Sequence, residues 1–248
     1  MLRVAKGAGF ARKSPPMGFP ARSLPAAKPA PCFDFEAAMM DEYQGPVAGI
    51  DEAGRGPWAG PVVVAAVILD PGRIPDGLND SKLMTPDARE DRYQAILATS
   101  IVSVVIGHVR RIDRDNILQA SLWGMRAAYR GLGVPAGCAL IDGNIIPRRF
   151  PCRARAIVGG DGLSLSVAAA SIVAKVTRDR LMVKLARRYR RYAWESNKGY
   201  GTPEHAAAIE KHGVCTHHRR SFSPIERALR LIQTGTELPF PDETVEDA

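Results

Sequence analysis

Between residues 46 and 189 the chain alternates short continuous apolar runs with longer stretches whose apolar positions recur every three or four residues. Val62 to Leu69 (VVVAAVIL) contains no polar position, which suits a strand buried on both faces. A shorter apolar run, Pro46 to Asp51, ends in an acid, and a glycine-rich loop joins the two. Thr85 to Thr99 has helical spacing with Pro86 placed at a helix start. Ile101 to Val109 is β-branched and predicts a strand. Asp113 to Leu132 reads as one helix, with Ile117, Leu118, Leu122, Met125 and Ala128 on a common face. Cys138 to Asp142 is a short buried strand that again ends in an acid, and Ala154 to Val158 is another strand. Ser164 to about Tyr189 predicts a long helix through Leu165, Ala168, Ile172 and Val176. Together these elements predict an α/β fold: a mixed sheet with helices on its faces.

Composition narrows the setting. The longest apolar run is only the strand at 62–69, too short to span a bilayer, so no membrane association is expected. Cys32, Cys138, Cys152 and Cys215 show no paired spacing, which argues against a zinc site or a disulfide framework and for a reducing, cytoplasmic location. Residues 1–30 carry three lysines and three arginines and no acid, whereas residues 237–248 carry five acids and no base. The expected organisation is a disordered basic arm (1–31), a catalytic domain with a C-terminal helical region (32–236) and a disordered acidic tail (237–248). The composition of the arm equally fits a transit peptide or an over-extended start. The central part holds 28 basic and 21 acidic residues, a surplus that suits an anionic partner.

The candidate chemistry gathers at strand ends, where open sheets place their ligand sites. Asp51 and Glu52 follow one strand, Asp142 ends another, and Asp161 lies just after a third, in Gly159-Gly160-Asp161-Gly162. Four carboxylates brought together repel unless a cation is present, and magnesium takes oxygen ligands. Two such ions activate water and stabilise a leaving oxygen in phosphoryl displacement. Neighbouring strand residues point to opposite faces, so Asp51 and Glu52 share a site only if the strand breaks or bulges between them. Beside them Gly54-Arg55-Gly56 offers close backbone approach and a phosphate-binding side chain. The same stretch also fits a plain polar hairpin turn. From Lys175 to Arg191 the long helix holds eight basic residues and one acid, either a solvated face or a phosphate-contacting surface. Tyr200 sits between two glycines, where an aromatic can stack on a base or sugar or simply support a turn. The five histidines show no zinc-ligand spacing.

Seven segments in order carry a resemblance to bacterial ribonuclease HII, the type 2 ribonuclease H: GIDEAGRGPWAGPVVVAAVIL (49–69), LNDSK (78–82), IDRDNILQAS (112–121), LIDGN (140–144), GGDGLSLSVAAASIVAKVTRDR (159–180), NKGYGTPEH (197–205) and HRRSF (218–222). The resemblance implies a ribonuclease H-like mixed five-stranded sheet flanked by helices. It implies an endoribonuclease that hydrolyses the RNA strand of RNA–DNA hybrids, cuts 5′ of single ribonucleotides in duplex DNA and leaves 5′-phosphates. Asp51, Glu52, Asp142 and Asp161 would be the catalytic residues and hold two Mg²⁺ or Mn²⁺ ions. Gly54, Arg55 and Gly56 would read the ribose 2′-OH, Tyr200 would stack on the following deoxyribose, and Lys82 and Lys175 would lie near the substrate backbone. The expected partners are the hybrid and ribonucleotide-containing duplex DNA, bound by a monomer. One departure stands out: Leu83 occupies a position where the family usually has a second lysine after Ser81-Lys82. The alternatives are another nuclease of the same fold, which a DNA-only substrate would distinguish, or a non-catalytic hybrid-binding protein, which a turnover assay would distinguish.

Overall fold

A computed structural model of the chain describes residues 30–234. The acidic tail and all but the last two residues of the basic arm lie outside the described residues. A five-stranded sheet of order β3-β2-β1-β4-β5 forms the centre, from β1 (Val47–Ala53), β2 (Val62–Leu69), β3 (Ser100–Gly107), β4 (Cys138–Asp142) and β5 (Arg153–Ile157). β1 pairs antiparallel with β2 and parallel with β4, so the sheet is mixed as expected. All eight residues of β2 are buried, the result of a polar-free sequence held in the sheet interior.

The helices are α1 (Asp34–Tyr43), α2 (Pro86–Thr99), α3 (Val109–Asp115), α4 (Ile117–Arg130), α5 (Leu165–Ala186), α6 (Trp194–Asn197), α7 (Pro203–His212) and α8 (Ser223–Thr234). α5 packs on one face of the sheet, where its Ala168, Ala169 and Ala170 meet Val63, Ala65 and Val67. α4 covers the other face through Met125, Ala128 and Tyr129. A separate apolar cluster joins the end of α5 to the C-terminal helices through Met182, Tyr192, Trp194, Ile209 and Ile225.

Three expectations need correction. The strand over 101–109 ends at Gly107, and Val109 opens α3. The single helix over 113–132 is interrupted at Asn116, whose φ of 63° is left-handed and whose side chain accepts from Gln119 N to start α4 anew. The third, a bulge in β1, bears on the site. In addition, α1 was not foreseen; its Glu36 is buried and accepts from Ser164 Oγ at 2.6 Å and Ser166 N at 2.7 Å, capping α5 from outside.

Candidate active site

The pairing of β1 with β4 stops at Ile50 and Ile141, while β1 continues beside β2 with Asp51 opposite Ala65 and Glu52 opposite Val64. This register is regular, so there is no break or bulge between the two acids. They point to opposite faces of the sheet. They reach one cleft because β4 has already left β1, which opens an edge accessible from both faces. Asp51 turns toward α5, where the Ser171 hydroxyl lies beside it and partly offsets the rise in its pKa. Glu52 turns toward α4, beside Ser121 and Leu122. Asp142 ends β4, and its Oδ1 accepts from Gly160 N at 2.8 Å. That bond ties it to the short 3-10 turn Gly160–Gly162, which carries the buried Asp161. Lys82 Nζ lies 3.4 Å from Asp161 Oδ2.

A cleft of ≈ 290 Å³ is lined by Asp51, Glu52, Asp142, Gly54, Arg55, Gly56, Lys82, Lys175 and Tyr200. Of the sequence-predicted site residues only Asp161 is off this lining, behind Lys82. Leu83, beside Lys82, is 69% exposed and extends an apolar side chain where the resemblance implies a second cation. Burial raises the Asp51 pKa well above the usual carboxylate value, and the charges of Glu52 and Asp142 raise it further. Burial also raises Glu52, opposed by Arg55, whose Nη1 donates to Glu52 Oε1 at 3.3 Å. Asp161 is raised by burial and lowered by Lys82. Burial opposes the charge of Lys82, yet Asp161, Asp80 and Asp51 together hold its pKa above the usual lysine value. Glu52 Oε2 is buried without a hydrogen-bond partner. Among the described residues no three His, Cys, Asp or Glu side chains form a preassembled metal-ligand set. Asp51, Glu52 and Asp142 nonetheless share the cleft lining, where, beyond burial, the charge of Asp142 raises the pKa of Asp51 and Glu52, as neighbouring anions do.

Gly54 has φ +94°, and a Cβ there would stand 2.0 Å from Arg178 Nε. Its lack of a side chain is therefore required by the protein interior beneath the loop. Gly56 is less confined, its nearest neighbour being the Tyr200 ring at 3.7 Å. Tyr200 is 45% exposed, and its carbonyl is fixed by His205 Nδ1 at 2.8 Å. Sequence reasoning passed over four polar residues here. Ser81 and Ser171 line the cleft and hydrogen-bond each other at 2.9 Å. Arg178 and Arg219 are buried under the 54–61 loop and donate to its carbonyls. All four lie in the segments that carry the resemblance, but in sequence the two arginines look like members of solvated basic runs.

A mixed sheet with carboxylates at the ends of its parallel strands is the architecture of the ribonuclease H-like nucleases. Among solved structures, the chain is similar to ribonuclease H2 from Pyrococcus horikoshii, with a TM-score of 0.65 and 26% identity over 75% of this chain and 98% of that one. Residues 48–225 match the family model for ribonuclease HII. The ribonuclease HII of Xanthobacter autotrophicus is 52% identical over 85% of this chain and 84% of its own length. That of Rhizobium meliloti is 52% identical over 82% and 94%. The chain belongs to the ribonuclease HII family, a family of endoribonucleases.

Proposed function

We propose that this chain hydrolyses the RNA strand of RNA–DNA hybrids and cuts on the 5′ side of a single ribonucleotide embedded in duplex DNA, using Mg²⁺ or Mn²⁺ held by Asp51, Glu52, Asp142 and Asp161. The observation that carries this reading is one cleft whose lining combines Asp51, Glu52 and Asp142 with the 54–56 loop and Tyr200. The donor set is all oxygen and anionic, which suits hard divalent ions, and the unpartnered Glu52 Oε2 needs a positive neighbour. Two bound ions would supply an activated water and charge stabilisation at the leaving oxygen.

The chain's own residues set the geometry. Gly160 N orients Asp142, Arg55 donates to Glu52 Oε1 and leaves Oε2 unpaired, and Lys82 offers a cation beside Asp161. The amides of the 54–56 loop would meet the 2′-OH, the group that distinguishes ribose from deoxyribose. Tyr200 would pack on the next sugar, where a second 2′-OH would crowd its ring. The acting species is proposed to be a monomer.

The test is cleavage of three labelled duplexes: one ribonucleotide in DNA, an all-RNA hybrid and all DNA, with Mg²⁺ and Mn²⁺ in parallel. The first two should be cut and the third left intact, with all cutting lost in excess EDTA. Full activity in EDTA, or cutting of all DNA, would overturn the reading. Stacking is worth roughly 1–3 kcal/mol, so Tyr200→Ala should lose about tenfold or more on the single-ribonucleotide duplex and less on the hybrid. Equal losses on both would remove Tyr200 from junction sensing.

A further inference from the structure

Arg219 lies far along the chain from the 54–56 loop, yet it is completely buried beneath it. Its guanidinium donates to four backbone carbonyls: Gly54 at 2.6 Å, Arg55 at 2.9 Å, Gly60 at 3.0 Å and Pro61 at 3.2 Å. A second buried arginine, Arg178 of α5, donates to Pro61 O at 3.0 Å and Ala59 O at 3.2 Å. Arg178 also occupies the space under Gly54, and its guanidinium lies 5.9 Å from the Tyr200 ring. Both elements of the proposed ribose reader therefore rest on one pair of buried cations.

A trans peptide holds its carbonyl and the following N–H on opposite sides. With the carbonyls of Gly54 and Arg55 turned inward onto Arg219, the amides of Arg55 and Gly56 turn outward, on the side of the loop that lines the cleft. Neither amide has a hydrogen-bond acceptor among the described residues. Successive amides facing one way form a concavity that binds an electron-rich oxygen. Resting on the proposed 2′-OH reading, we propose that Arg219 is a positioning residue that aims the Arg55 and Gly56 amides at the ribose 2′-OH.

A planar fork is needed to reach four carbonyls at once; an ammonium is a compact point charge with fewer directed donors. The arrangement is held against an electrostatic cost, since burial and then the neighbouring Arg178 push the Arg219 pKa down to about 9. Lysine at this position would keep the charge and lose the fork, freeing the loop carbonyls to rotate.

The experiment compares wild type with Arg219→Lys by fluorescence-anisotropy binding in EDTA. The two duplexes are identical except for one 2′-OH. Wild type should prefer the ribonucleotide duplex. Two neutral hydrogen bonds are worth about tenfold, so Arg219→Lys should lose most of that preference while its affinity for the all-DNA duplex stays within about twofold. A merely structural role would weaken both duplexes together or neither. Arg219→Gln, which retains planar amide donors, is the second variant if the lysine form does not fold. A folded variant that keeps the wild-type preference overturns the assignment alone, as does unfolding of both variants. A wild-type chain without preference removes the 2′-OH reading and the assignment with it.

Discussion

A carboxylate buried beside two others lowers its energy by binding a proton or by sharing a cation. Asp51 is in that position next to Glu52 and Asp142, so replacing one acid by its amide removes charge without changing shape. Asp51→Asn and Asp142→Asn should each lower turnover by roughly a hundredfold or more, the scale of a lost charge-stabilising group. Their circular dichroism should be native and their melting temperature in EDTA no lower than wild type; wild-type rates in either variant would remove that acid from the site. A second residue-scale prediction concerns His205 and His218. His205 Nδ1 faces Tyr200 O, so it carries the proton, and its Nε2 accepts from Trp194 Nε1 and His218 Nε2, each at 3.1 Å. His218 Nδ1 accepts from Cys215 N at 3.0 Å. Both rings are thus satisfied only when neutral, and burial, followed by the proximity of the titratable His205 ring, pushes the His218 pKa from 6.5 down to about 3. The unfolded chain takes up this proton near pH 6.5 and the folded chain does not. The stability it confers is therefore full above about pH 6.5 and falls as the pH drops toward 3, by at most about 1.4 kcal/mol per pH unit. Urea midpoints should fall between pH 7.5 and 5 in wild type and fall less in His218→Gln; equal slopes would mean that His218 is not the source.

At the scale of elements, the contact of α5 with β1 places Ser171 against Asp51, and it depends on Gly49. A Cβ at Gly49 would stand 2.1 Å from the backbone carbon of Ser166. Backbone cannot swing aside as a side chain can, so Gly49→Ala should cost about 2 kcal/mol or more, with activity falling alongside. An unchanged melting temperature would show that α5 can shift without penalty. The strands and α5 were readable in the sequence because a polar-free run, or a serine before a helical period, leaves a one-dimensional signal. The acids were readable for the same reason, since three of them end or follow such runs. The interruption at Asn116 was not, because a single left-handed residue leaves the apolar spacing on both sides intact. Nor was the regular register of β1 through Asp51 and Glu52. Where β4 stops pairing is a property of the sheet, and it replaces the local bulge that the alternation rule demanded. Arg178 and Arg219 escaped notice because burial under a loop from elsewhere in the chain has no local signature.

Across the whole molecule, one concentration of positive charge runs along the second half of α5 and the residues just after it. A groove of ≈ 550 Å³ runs between α2 and α5, with Arg89, Arg180, Lys184, Arg187 and Lys198 against Glu90 and Asp179. It shares walls with the cleft: Lys175 of the cleft bonds Asp179 of the groove at 3.0 Å, and Arg89 Nε donates to Ser81 O at 2.8 Å. Arg180 is engaged by Glu90 and lies over the Tyr93 ring, which leaves Lys184 and Arg187 as the better probes of this face. If the duplex continues from the cleft along α5, these two side chains neutralise phosphates and release counterions. Each phosphate contact contributes about 0.9 to the slope of log affinity against log salt. The double variant Lys184→Ala/Arg187→Ala should therefore bind duplex DNA with a slope shallower by about 1–2, while turnover at saturating substrate in low salt stays at the wild-type rate. A turnover loss would instead implicate these residues in the reaction. An unchanged slope would make the basic half of α5 what such runs most often are, a solvated helix face that carries charge without carrying substrate.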